Sequence, residues 1–484
     1  MQKIIFNTEK ELLSFFRKFK GKNLSELKNL LSDEIDSKIN ANKGIAGQIF
    51  EGLTGRVPNS SPMPDIEELG IDLKVLPLRE GLKKNSFVSK ERSKLKAVNY
   101  KKLLTDKWET AYVRKKIDKI LFNVYHHPAG YRFDELEQLE YIDSFIFNLD
   151  ERREQNDIRK DWEKLKNEVC SLKAHNISEK MFKTLSASTS GIGRLVDYHQ
   201  NAPPAKERSH SFKNAFMTTL WKEYDKNDYA SDVVIDEGDF VSFITNKIDN
   251  TIKGKMISEL LNNYEFSSKS PPKNIVNSVL NDIIGIKKGK KIREFDLNDI
   301  VLKTVPVNPD TGNLYESMSF PKMSLRDLLF QEWDNYDEEN SDESALKTEL
   351  VKNLIFIPIY KRKLKKGKKY VFEDSLKWKF GKPIHWTADA YTLEAIKKEW
   401  IGCKKLVMDN RVETKPYTQK NGKIIQKNNL LKSSQSEYIH IRPHTSDSSN
   451  IDIPYYNHTN GKISISWQSF WLNKSFVKTI INNC

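Results

Sequence analysis

The run Pro64-Asp65-Ile-Glu-Glu-Leu-Gly-Ile-Asp72-Leu-Lys74 places two carboxylates and an ammonium within one short stretch of chain. On a strand, residues two apart share a face, so Asp72 and Lys74 point the same way while Leu73 enters a core. Asp65 precedes that strand after an acidic turn, from which it can return to the strand end. Two carboxylates at close range suit a hard divalent cation that keeps several waters, which describes Mg²⁺. Such an ion lowers the pKa of a bound water, polarises a phosphate and stabilises a leaving oxygen. Lys74 would orient the attacking water and screen the charge that develops. The plain alternative is an acidic turn running into an ordinary strand.

These residues need a sheet and helices to hold them. Leu and Phe fall at helical spacing over residues 9–19 and 24–32, and residues 42–53 form another helix. Residues 71–76 form a strand that ends at Pro77. A helix over residues 108–117 feeds a strand at 120–125. A further strand covers 141–147 and a helix 157–169. Mixed elements in this order predict an α/β (α+β) domain around a central sheet.

The chain also repeats itself. Gly21-Lys-Asn-Leu-Ser-Glu-Leu27 returns as Gly254-Lys-Met-Ile-Ser-Glu-Leu260, and Ile71–Pro77 as Ile300–Pro306. Lys119–Tyr125 is echoed by Asn353–Ile359, Asp161-Trp162 by Glu399-Trp400, and Arg208–Phe216 by Gln468–Phe476. Matches in one order with a slowly drifting offset predict two homologous domains, 1–226 and 237–484, joined by the acidic linker 227–236.

Composition narrows the partners. The chain has 484 residues, 80 Lys+Arg against 66 Asp+Glu and a net charge of +14. That excess of base suits a phosphate backbone, where affinity comes largely from released counterions. No apolar stretch reaches the roughly 20 residues a membrane-spanning helix needs. The start, MQKIIFNTEKELL, is too polar and acidic for a signal peptide. Cys170, Cys403 and Cys484 are scattered, giving neither a disulfide framework nor a zinc quartet. A reducing cytoplasm is expected. The lysine-dense 361–369 is a turn or hairpin, solvated or touching phosphate. His126-His127 lacks partners at ligand spacing and closes a strand.

Two blocks flank the carboxylates: Gly44-Ile-Ala-Gly-Gln-Ile-Phe-Glu51-Gly-Leu-Thr-Gly55 and Trp108-Glu-Thr-Ala-Tyr-Val-Arg-Lys-Lys116. Together with PDIEELGIDLKVLP, which fits the nuclease pattern PD…(D/E)xK, they resemble the MutH family. That family spans a methyl-directed mismatch-repair nickase and related GATC-cleaving type II restriction endonucleases. In the second half, Glu437-Tyr-Ile-His-Ile-Arg442-Pro443 and Ser469-Phe-Trp-Leu-Asn-Lys-Ser-Phe476 are similar to later family segments. The resemblance implies a PD-(D/E)xK restriction-endonuclease-like fold in two tandem MutH-like domains. It implies an active site at Glu51, Asp65, Asp72 and Lys74, with the first three holding Mg²⁺ and Lys116 near the scissile phosphate. Asp72 stands where the nickase has Glu, one methylene longer.

Only the first half keeps all three acids. Lys303 falls opposite Lys74, but Val301 falls opposite Asp72, Glu294 opposite Asp65 and Asn281 opposite Glu51. A valine binds no cation, so the second half is expected to bind DNA as an effector, or to act as scaffold. Base reading needs donors and acceptors. Arg208, Ser211 and Lys213 are the candidates in the first half, with Arg442, Trp471, Asn473 and Lys474 in the second. Leu185–Ser190 takes the place of the family's Ile-Arg-Pro loop. The expected substrate is double-stranded DNA at a short palindrome, GATC by resemblance, cut by one chain or a DNA-bound dimer. The same resemblance implies a cognate DNA methyltransferase without a stable complex. The rival readings are a mismatch-repair-type nickase and a non-cleaving, methylation-sensing DNA-binding protein.

Overall fold

A computed structural model describes the chain except residues 1, 60–62, 82–85, 191–192, 226–228, 230–238, 262–274, 286–291, 335–340, 368, 419–421, 423, 446–454, 458–460, 464 and 483–484. The chain forms two compact units. Met1–Asp225 with Phe330–Ser344 make the first, and Lys226–Leu329 with Ala345–Cys484 the second. Of the expected linker, only Tyr229 is among the described residues. Among those residues no helix is long and apolar enough to cross a membrane.

In the first unit, helices α1 (Glu9–Arg17) and α2 (Ile45–Leu53) pack on a four-stranded sheet. Its order is β2 (Phe87–Ser89), β1 (Asp72–Glu80), β4 (Lys119–His126) and β5 (Glu140–Asn148). The central pair β1–β4 is parallel, with Asp72 opposite Ile120 and Lys74 opposite Phe122. Alternate residues of β1 do different jobs: Leu73 joins the core with Phe16, Ile49, Phe50 and Leu121, which turns Asp72 and Lys74 to the other face. The expected helix over 108–117 is broken at Ala111 into a short 3₁₀ turn and α3 (Tyr112–Lys116).

The strand does not end at Pro77, as the sequence predicts. Pro77 O accepts from Lys90 N at 2.8 Å, so the ring nitrogen faces the β2 side. Pairing with β2 starts only at Leu78, so the missing N–H costs no rung of the β4 ladder.

A second sheet has the order β3 (Ser93–Ala97), β7 (Arg208–Phe212) and β6 (Leu185–Thr189), all antiparallel. Phe147 of β5, Phe212 of β7 and Phe216 of α5 (Asn214–Asp225) form an aromatic cluster in which Phe216 meets both other rings edge-on. In helix α4 (Gln155–Cys170), buried Asp161 accepts from the backbone N of Lys183, Thr184 and Leu185, fixing the start of β6.

The second unit repeats this plan. Helices α6 (Phe240–Ile252) and α7 (Ile275–Ile284) pack on β8 (Ile300–Val307) and β10 (Asn353–Tyr360). The pair β8–β10 is parallel, with Lys303 opposite Phe356. Its second sheet runs β9 (Met318–Met323), β12 (Gln468–Leu472), β11 (Ile439–Pro443). In α8 (Ala390–Met408), Glu399 accepts from the backbone N of Glu437, Tyr438 and Ile439, as Asp161 does for residues 183–185. Gly21 and Gly254 both adopt positive φ and donate N–H to a strand carbonyl, of Tyr141 and Phe380 respectively. The lysine-rich run forms an antiparallel hairpin, Lys363–Lys366 with Lys369–Phe372, and Lys361 lies over the Phe372 and Trp378 rings.

Candidate active site

The side chains of the candidate set come from one strand, two helices and a turn of the first unit. Asp72 and Lys74 lie at the start of β1, Glu51 in the last turn of α2, and Lys116 at the end of α3. Asp65 lies just before the 3₁₀ turn Glu67–Leu69, and its Oδ2 accepts from Leu73 N at 2.7 Å. That bond folds the acidic turn back onto β1. Gly55 lets the chain turn out of α2: its φ is 75°, and a Cβ there would stand 2.2 Å from Gln2 O. Arg56 then anchors the loop through Glu68 at 2.7 Å, a pair that spacing alone did not reveal.

The electrostatics are first those of buried acids. Burial and then the Asp65 charge push the Glu51 carboxyl up to about 7, against the lowering pull of Asn59, Lys74 and Arg56. Asp72 is also raised, first by burial, although Lys116 Nζ holds its Oδ1 at 2.9 Å. The second oxygen, Asp72 Oδ2, is buried with no hydrogen-bond partner. A buried carboxylate oxygen left unpaired is costly, and a cation removes that cost. Among the described residues no three acidic, His or Cys side chains stand closely enough to share an ion as they are. The donor chemistry of Glu51, Asp65 and Asp72 nonetheless fits a hard divalent cation, with the orphaned oxygen and the Asp65–Glu51 repulsion both calling for positive charge. Glu51 and Asp65 line a cleft of about 280 Å³ with Lys3, Asn59 and Met63.

The corresponding place in the second unit is different. Val301 stands where β1 has Asp72, and Asn281 is exposed on α7. Glu294 lies in the short helix Arg293–Leu297. Lys303 Nζ donates to Ser319 O at 3.0 Å, and burial lowers its pKa.

The candidate DNA-reading residues divide sharply. Arg208 is buried, its guanidinium donating to the carbonyls of Ala187 and Ile177, so it braces β6 and cannot read bases in this arrangement. Ser211 is buried against Ser188 Oγ at 2.8 Å, and Lys213 Nζ donates to Phe182 O at 3.1 Å. Asn473 is buried between His440 Nδ1 and Ser436 O. In this arrangement the polar groups of all four are engaged within the protein. Arg442 and Lys474 are exposed; Arg442 lies over the Trp471 ring, and Lys474 Nζ is 3.4 Å from Tyr315 O. Arg442 pairs with Ser469 and Ser188 pairs with Ser209, so the first-unit counterpart of Arg442 is Ser188. His127 is buried at the strand end, its Nε2 bonded to Tyr131 O.

A parallel strand pair carries Asp72 and Lys74 beside the helix end that holds Glu51, and comparison with known proteins finds likeness to MutH proteins and to a restriction enzyme. Residues 55–161 match the family described as DNA mismatch repair enzyme MutH. Over 481 residues the chain is 26% identical to the type II restriction enzyme Sau3AI of Staphylococcus aureus, covering 93% of this chain and 95% of that one. It is 24% identical over 229 residues to the DNA mismatch repair protein MutH of Haemophilus ducreyi, 45% of this chain and 96% of the relative. A Vibrio vulnificus MutH is 33% identical over 122 residues, 25% of this chain and 51% of the relative.

Proposed function

We propose that the protein is a type II restriction endonuclease that hydrolyses phosphodiester bonds of double-stranded DNA at a short palindrome, GATC, using Mg²⁺. The observation that carries this reading is the gathering of Glu51, Asp65, Asp72, Lys74 and Lys116 in the first unit, with Asp72 Oδ2 left unpaired. Likeness to a restriction enzyme along nearly the full length of both chains supports it.

Glu51, Asp65 and Asp72 would hold the ion. When bound, Mg²⁺ supplies Lewis-acid polarisation of the phosphate and stabilises the leaving 3′ oxygen. Lys74, on the same face as Asp72, orients the attacking water and screens the charge building on the phosphate. Lys116 fixes the Asp72 carboxylate through Oδ1, leaving Oδ2 buried and without a hydrogen-bond partner. The second unit, with Val301 for Asp72, binds a second copy of the site as an effector. The two units are copies of one ancestral domain, which the twin Asp161 and Glu399 clamps support. A cognate methyltransferase would protect the host's sites.

The test is digestion of plasmid with Mg²⁺ by the wild type and by Asp72→Asn. Discrete double-strand fragments that the variant fails to make are expected, with a loss on the order of a hundredfold or more. Nicked circles alone would turn the reading to a strand nickase, and retarded but uncut DNA to a non-cleaving regulator.

A further inference from the structure

The residues 330–344 belong by sequence position to the second half, yet they fold into the first unit. From 331 to 343 the chain reads QEWDNYDEENSDE, with seven acids and no Lys or Arg in a protein of net charge +14. Its two ends pair with each other in parallel, Gln331 with Asp342 and Glu332 with Glu343, and Trp333 is buried. Phe330 receives the Arg132 guanidinium at 4.7 Å.

The acids at its C-terminal end enter a basic pocket. Asp342 bridges Lys43 at 3.2 Å and Lys90 at 2.6 Å, and Glu343 bridges Arg92 at 2.8 Å. Lys43 Nζ also donates to Ser341 O. The three cations are largely enclosed, with side-chain exposures of 18%, 18% and 26%. The unit's own acids only partly balance them: Glu91 meets Lys43 and Glu179 meets Arg92. Counting these seven side chains, three cations face two native carboxylates, leaving one positive charge. Asp342 and Glu343 turn that into one negative charge. An enclosed cation stripped of its partner is costly, so this pocket needs an anion from outside whenever the acidic segment leaves. The other buried groups beside it do not supply one: Tyr125 is held as the neutral phenol and His127 as the neutral imidazole.

The pocket also sits on catalytic elements. Lys43 directly precedes Gly44, the cap of α2, and Glu51 lies in the last turn of that helix. Lys90 is tied to Pro77 on β1, the strand that starts with Asp72.

We infer that Lys43, Lys90 and Arg92 form a binding site for DNA backbone phosphate, and that Asp342 and Glu343 occupy it as an intramolecular stand-in. The inference deepens the nuclease reading and rests on it for its purpose. Binding of duplex to the first unit then requires the acidic segment to withdraw, and the protein without DNA is held in a low-affinity state.

The test measures binding rather than cutting, so its failure is separable from failure of the nuclease reading. A fluorescent 20-base-pair duplex is titrated with full-length wild type and with Asp342→Asn/Glu343→Gln, in EDTA, over a salt series. The double variant is expected to bind at least tenfold tighter at low salt. Its log K against log salt slope should steepen by about one to two, since each phosphate contact adds about 0.9. Adding Lys90→Ala to the double variant should cancel most of the gain. If the double variant melts early, Asp342→Asn alone keeps the Arg92–Glu343 bridge and should show a smaller gain of the same sign. Affinity and slope equal to wild type in folded variants, or a gain that Lys90→Ala leaves intact, would overturn the inference.

Discussion

Asp72 and Val301 take the same place in two equivalent parallel ladders, and on the proposed reading the difference between an acid and an apolar side chain there decides which unit holds a cation. That difference was legible in the sequence, because a strand's alternation fixes which residues share a face. The burial of the candidate DNA-reading residues was not legible, because charge and proximity to a family segment say nothing about burial. Arg208 illustrates this: its donors go to Ala187 and Ile177 carbonyls, and burial lowers its pKa. Arg208→Ala is therefore expected to destabilise the protein by about 1–3 kcal/mol, the cost of buried carbonyls left unpaired. It should leave the recognised sequence unchanged. Urea midpoints together with the fragment pattern check this; a folded variant with unaltered stability and relaxed specificity would reverse the assignment.

The elements followed from periodicity except where pairing context intervened. Pro77 reads as a strand stop, yet the strand runs on to Glu80 because the missing N–H falls outside the β4 ladder. The 108–117 helix breaks at Ala111, where φ and ψ of −57° and 136° leave the helical region. The β7 strand carries a further consequence of burial. His210 is enclosed in it, and burial alone holds its pKa down to about 4. In the unfolded chain it titrates near its ordinary value, so the folded state binds that proton less readily. Its contribution to stability is full above about pH 6.5 and is lost as pH falls toward 4. Wild-type urea midpoints should drop over that window, and His210→Asn should drop less. Parallel declines in the two proteins would exclude His210 as the source.

At the scale of the whole chain, the proposed repeat rests on five ordered matches, and the twin clamps at Asp161 and Glu399 support it. Each carboxylate organises three successive N–H groups at a strand start. The return of residues 330–344 to the first unit was invisible, since no local pattern records which surface an acidic segment will meet. The +14 charge is thus unevenly used, with part of it neutralised from within. The central claim is that one unit cuts and the other only binds. Its most direct measurement compares the Mg²⁺-dependent rate of plasmid cleavage by Lys74→Ala and by Lys303→Ala. Lys74→Ala should lose on the order of a hundredfold or more in rate, while Lys303→Ala keeps cleavage chemistry when site-bearing DNA is saturating. Equal losses in the two variants, or cleavage that survives Lys74→Ala and vanishes with Lys303→Ala, would contradict it.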